Sequence, residues 1–176
     1  MKVPRSMNLL VVGGVFLAAM SAYAGGDGGN SNSFKARLSG NQEVPAISST
    51  GAGEFRARLR NDRLDYSLSY DALEGNTTLF AHIHIGQKSV NGGVAAFLCG
   101  GGGKPACPNT GGTVEGSIVA ADVIGPAGQG VAAAEFAEMI QMMRSGDAYA
   151  NVHTNKHAPG EIRGQIKRGG GHGGDD

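Results

Sequence analysis

Two histidines, His82 and His84, stand two residues apart in Ala81-His82-Ile83-His84-Ile85, and two more, His153 and His157, follow in the segment from Tyr149 to His157. Alternate residues of a strand share a face. His82 and His84 therefore present two imidazoles side by side, while Ala81, Ile83 and Ile85 turn toward apolar packing. Imidazoles fixed on a rigid strand make half of a metal site, and the second segment can supply the other half. There His153 shares a face with Tyr149 and Asn151, and His157 lies past the strand, just before Ala158-Pro159-Gly160. The expected ligand set is His82, His84, His153 and His157. Nitrogen donors without thiolate suit copper first and zinc second. Four ligands would close a structural site, whereas three histidines and an open position permit chemistry. The plainer alternative is a group of solvated or hydrogen-bonded strand histidines.

Other polar residues can serve such a centre. Arg163, on a strand whose Ile162 and Ile166 point inward, is the candidate to guide a small anion such as superoxide toward a metal. Its plainer role is a Glu–Arg pair across neighbouring strands. Gln42 and Glu43 are candidate hydrogen-bond partners for imidazole, or they shape the turn before Pro45. The loop Lys88-Ser89-Val90-Asn91-Gly92-Gly93 reads as a turn at the rim of the site. There is no Gly-x-Ser-x-Gly elbow, P-loop or dinucleotide fingerprint.

The elements that must position these groups have mostly a period of two. Phe34, Ala36 and Leu38 alternate with Lys35, Arg37 and Ser39, and Phe55, Ala57 and Leu59 alternate with Arg56, Arg58 and Arg60. Leu64, Tyr66, Leu68 and Tyr70 repeat the pattern after Asn61-Asp62-Arg63, a hairpin loop. Further strands are expected at Leu79–Ile85, Val94–Cys99, Thr113–Val119, Ala148–Thr154 and Glu161–Lys167. One segment, Val131–Arg144, reads as a helix: Phe136, Met139, Ile140 and Met143 recur at three- and four-residue steps and Gly146 follows as a stop. Its methionines are core filler or, less simply, a soft copper(I) site. The fold class is mainly all-β, an antiparallel β-sandwich or partly closed barrel of about eight strands with one short helix.

Compartment follows from the chain's start and its cysteines. Lys2 and Arg5, the apolar run Met7–Met20 and Ala22-Tyr23-Ala24 make residues 1–24 a signal peptide, with an uncleaved anchor as the alternative. Residues 25–33 are a flexible leader, 34–167 the domain, and 168–176 a flexible glycine-rich tail carrying His172. Losing Lys2 and Arg5 lowers the basic count from 15 to 13 against 15 acids, which is not the footprint of a nucleic-acid binder. The protein is expected to be exported, periplasmic or secreted, with no membrane association after cleavage. Export favours a disulfide between Cys99 and Cys107 over two thiolates on a metal.

Four blocks in order resemble the CHRD (chordin-type) domain in its single-domain bacterial exported form. They are Leu38-Ser39-Gly40-Asn41-Gln42-Glu43-Val44-Pro45, Ala81 to Gly86, Gly146 to Thr154, and Pro159 to Ile166. The resemblance implies an extracellular, mainly β domain and no settled activity, since such domains are usually described as structural or binding modules. The insert from Cys99 to Thr110 departs from the general pattern. The His-x-His strand and disulfide-tethered loop are also loosely similar to copper–zinc superoxide dismutases, an analogy of fold and site only. Two functions are therefore expected as alternatives. One is copper binding, with redox chemistry on a small oxygen species. The other is a non-enzymatic module for an extracellular protein or polysaccharide partner, in which the histidines are structural or hold a stabilising metal.

Overall fold

Apolar residues at alternate positions make each strand bury one face, and the sheet curls to bring those faces together. The computed structural model describes residues 32–169 together with Met1. The expected signal peptide, most of the leader and residues 170–176 of the tail lie outside the described residues. Among the described residues nine strands form: β1 (Ser33–Ser39), β2 (Ala52–Arg60), β3 (Arg63–Asp71), β4 (Thr78–Ile85), β5 (Gly93–Cys99), β6 (Gly112–Ile118), β7 (Ala148–Thr154), β8 (Ile162–Gln165) and β9 (Lys167–Arg168). They make one antiparallel sheet in the order β5-β4-β7-β8-β1-β2-β3-β6, with β9 continuing β8 along β1. The hairpin between β2 and β3 turns on Asn61-Asp62, with Asn61 in the left-handed region at φ 54°, a conformation asparagine tolerates.

The sheet is nearly closed into a barrel, which decides between the two expected architectures. Its two edge strands, β5 and β6, face each other across a seam. There the buried Tyr66 hydroxyl donates to the Leu98 carbonyl at 2.6 Å, and Lys104 donates to the Ser117 carbonyl at 2.7 Å while pairing with Asp122 at 2.9 Å. Cys99 and Cys107 are disulfide-bonded, eight residues apart. A loop of that length contributes about 2.5 kcal/mol in the chain-entropy account. The insert it tethers lies over the seam, where the Pro108 carbonyl accepts from Tyr70 at 2.6 Å.

The helix, α1 (Phe136–Ser145), begins five residues later than the sequence pattern suggests. Val131 to Glu135 instead form a turn in which Val131 N–H donates to Pro126, Ala134 takes φ 68°, and the Glu135 carboxylate accepts from Ala132 N–H at 2.6 Å. Helix propensity in Val-Ala-Ala-Ala is overridden by this anchoring. From Phe136 onward the pattern holds. Met139, Ile140 and Met143 are buried against the sheet, and Gly146 at φ 85° ends the helix by donating to the Met142 and Met143 carbonyls. The methionines are core. Among the described residues no helix is long and apolar enough to cross a membrane.

Candidate metal centre

The alternation of β4 and β7 places the histidines on the outside of the barrel. Ala81, Ile83, Ile85, Ala150 and Val152 are fully buried on the inner face. On the outer face His82 lies opposite Asn151, His84 opposite Tyr149, and Phe80 opposite His153. Two register shifts between β4 and β5 flank the His82–Phe97 and Ile83–Ala96 pairs. Such bulges sharpen twist and re-aim side chains. Three loops then fold over this patch: Gln42 to Ile47, Gly86 to Gly92, and Asn155 to Gly160. The result is an outer-face site that is nonetheless buried, with His82, His84 and His153 only 5 %, 8 % and 6 % exposed.

These three histidines each offer a ligand atom within 4.8 Å of the others. His82 Nδ1 and His153 Nε2 are 3.4 Å apart. Two nitrogens bound at about 2.0–2.1 Å by one tetrahedral ion stand about 3.3 Å apart, so this pair is already spaced for a shared metal. The loops set the tautomers. His84 Nδ1–H donates to the Gly92 carbonyl at 3.0 Å, and His153 Nδ1–H donates to the Ala158 carbonyl at 2.9 Å. Each ring is left with its Nε2 lone pair, and His84 Nε2 is buried with no hydrogen-bond partner among the described residues. Donation of the remote N–H to a backbone carbonyl is the usual support of a metal-bound imidazole.

Electrostatics favour the neutral, ligating form. Burial, reinforced by the neighbouring His153 and His84, pushes His82 down to about 3. Burial also takes His84 down to about 4, against the opposing bond to Gly92, and it lowers His153 as well. Aromatic rings complete the wall: Phe97 stands edge-on to His82 at 4.4 Å, and Phe80 packs 4.9 Å from His82 and 4.8 Å from His153. Tyr149 stacks on His84 at 4.8 Å with planes within 5°.

His157 does not join this group. Its Nε2 lies 3.9 Å from the Glu74 carboxylate, which also binds Lys156, because the turn after β7 is held by the Thr154 hydroxyl and by Asn155, whose side chain accepts from Thr77 N–H. His157 N–H donates to the Thr154 hydroxyl at 3.1 Å. Arg163 is buried beside the site, against Tyr149. It is 6 % exposed, its Nε bonds Glu43 at 2.7 Å, and its Nη2 bonds Asn91 at 2.7 Å. Its guanidinium carbon sits 4.5 Å from the Tyr149 ring centre. Arg163 is thus paired with Glu43 and held against Tyr149 and the Gly86–Gly92 loop, and its charge still lowers the neighbouring His84 and His153. A Glu–Arg pair exists, but its acid, Glu43, lies in the turn after β1 and not on a neighbouring strand. Glu161 instead accepts from the Ser49 and Thr154 hydroxyls and from the backbone of Glu74 and Gly75.

Neither Gln42 nor Glu43 bonds an imidazole. Gln42 donates to the Arg37 carbonyl at 2.8 Å, and backbone carbonyls take the role foreseen for both side chains. Gly92 is the residue whose importance the motif understated. Its carbonyl holds His84, its N–H donates to the Tyr149 hydroxyl at 3.1 Å, and a Cβ there would stand 1.6 Å from the Ile85 carbonyl oxygen. Gly92→Ala is expected to displace the loop and weaken metal affinity about 10- to 100-fold, the usual cost of losing an outer support. A metal titration of the folded variant checks this.

Fold and site together define a class: a nearly closed antiparallel β-barrel with a buried three-histidine centre on its outer face. The family model for the CHRD domain matches residues 34–166, and the chain belongs to that family. No curated protein and no solved structure matches it.

Proposed function

We propose that this is an exported CHRD-domain protein that binds copper through His82, His84 and His153. The observation that carries the reading is the pair of carbonyl-fixed tautomers, which leaves buried, neutral imidazole lone pairs turned to one another. Three nitrogen donors without thiolate favour copper over the other divalent first-row ions, with zinc the second choice. Export is supported by the disulfide.

A three-histidine site leaves a position open, and copper there would carry one-electron chemistry on a small oxygen species. Two superoxide ions and two protons would give dioxygen and hydrogen peroxide, one superoxide losing the electron that the other gains. The protein's part is to hold three neutral ligands, to shield them with Phe80, Phe97 and Tyr149, and to fix Tyr149 through Arg163. The test is titration of the purified protein, without a histidine tag, with copper and zinc separately. One copper per chain with nitrogen hyperfine structure in its paramagnetic resonance spectrum supports the site, and superoxide removal by that form supports the redox role. Copper-loaded protein inert toward superoxide removes the redox role and leaves a binding module.

The depressed histidines also predict how the metal-free protein responds to acid. The unfolded chain takes up protons near 6.5, whereas native His82 and His84 resist until about 3 and about 4. Their contribution is therefore full above about pH 6.5 and is lost as pH falls toward those lower values. Denaturant titrations at about pH 7.5 and 5.5 should show the metal-free protein weaker at the lower pH, with the His82→Ala/His84→Ala protein showing a smaller drop.

A further inference from the structure

Past the histidines, the outer face of the barrel changes character. Lys35 and Arg37 of β1, Arg56 of β2, Lys167 of β9 and Lys88 of the Gly86–Gly92 loop line one groove of about 420 Å³. All five are exposed. Glu54 is the one carboxylate on the wall, and Arg56 takes it at 2.8 Å. Among the described residues Lys35, Arg37, Lys88 and Lys167 have no carboxylate partner.

The register makes this arrangement costly for the isolated fold. Lys35 lies directly opposite Arg56 on one side and Lys167 on the other, and like charges so placed repel. The chain as a whole carries 15 basic and 15 acidic residues, so the concentration is local and not a consequence of overall charge. A polyanion lying across the strands would relieve it.

Two glutamines indicate which polyanion. Gln42 donates its amide to the Arg37 carbonyl and the Ser39 hydroxyl, and Gln165 donates to the Gly86 and Gly146 carbonyls. Their nitrogens are used inside the protein, and their carbonyl oxygens are left as acceptors for hydroxyl groups. No aromatic side chain lines the groove to stack a base. The exposed large apolar side chains of the folded domain, Val90, Val119 and Ile124, lie outside it, so nothing there would enter a lipid surface.

We propose that this groove binds an acidic polysaccharide, the cations meeting its carboxylates or sulfates and the two glutamine carbonyls accepting from its hydroxyls. The site is independent of any metal at the histidines, and its outer wall is the same loop that holds His84.

The test uses heparin as a sulfated probe and polygalacturonate as a carboxylated one, titrated against the purified protein at low salt. Lys35→Gln/Arg37→Gln/Lys167→Gln should weaken binding about tenfold, the size that three exposed ion pairs carry, with metal content unchanged. Lys88→Gln, which leaves the strands untouched, should shift affinity in the same direction. Arg60→Gln/Arg63→Gln/Lys156→Gln removes equal charge elsewhere and should leave binding within about twofold. Equal loss in both triple variants would reduce the effect to net charge and overturn the groove. So would the absence of binding of either probe to the wild type. Duplex DNA outcompeting both polysaccharides would give the groove to a phosphate backbone and overturn the assignment.

Discussion

The His82→Ala/His84→Ala protein should fold and bind copper at least about 100-fold more weakly than the wild type. Loss of an outer support already costs about 10- to 100-fold, and here two ligands go at once. Folding should survive because the inner face of β4, formed by Ala81, Ile83 and Ile85, is untouched and fully buried. The substitutions also remove two buried imidazoles that resist protonation, so the metal-free variant should not be less acid-resistant than the wild type. Isothermal titration on both proteins reads the affinity, and thermal melts verify the fold. Undiminished copper uptake by the folded double variant would remove these residues from the ligand set.

The second large effect is expected at the ion pair beside the site. Arg163→Met leaves Glu43 buried without its cation, and it also strips donors from Asn91 and Val90 and a cation from the Tyr149 face. Breaking a buried pair on one side typically costs about 3–5 kcal/mol. Burial already pushes the Glu43 carboxyl upward against the attraction of Arg163, so its ionised form depends on that partner. Urea denaturation should show the loss. Glu43→Gln/Arg163→Met should recover part of it, since no buried charge then remains. A cost below about 1 kcal/mol for the single variant would mark the pair as an ordinary solvated one. If Arg163 acts by orienting Tyr149 and its loop, the single variant should also bind copper more weakly.

Much of this is legible in the chain because strand alternation is local. Phe34, Ala36 and Leu38 or Leu64, Tyr66 and Leu68 declare their buried face by spacing alone, and the same rule puts His82 and His84 on the opposite face of their strand from Ile83. His153 follows from Val152 in the same way. Other features depend on which strands become neighbours, and spacing does not encode that. The choice between sandwich and barrel rests on β5 meeting β6 across a seam bridged by Tyr66 and Lys104. His157 reads like its neighbour His153, yet the turn after β7 sends it to Glu74. The acid for Arg163 is 120 residues away in sequence, and the nearer Glu161 is occupied by hydroxyls and backbone amides. Backbone carbonyls at Gly92 and Ala158, which orient the ligands, leave no side-chain signature. The one local hint was a glycine in the loop after the histidine strand, and only the close approach to Ile85 shows why it must be glycine.

The most direct measurement is an anomalous difference map at the copper absorption edge from crystals of the copper-loaded protein. The account predicts one strong peak per chain, about 2.0–2.1 Å from one nitrogen of each of His82, His84 and His153. A peak on His157 or elsewhere, or none among the three histidines despite bound copper, would contradict it.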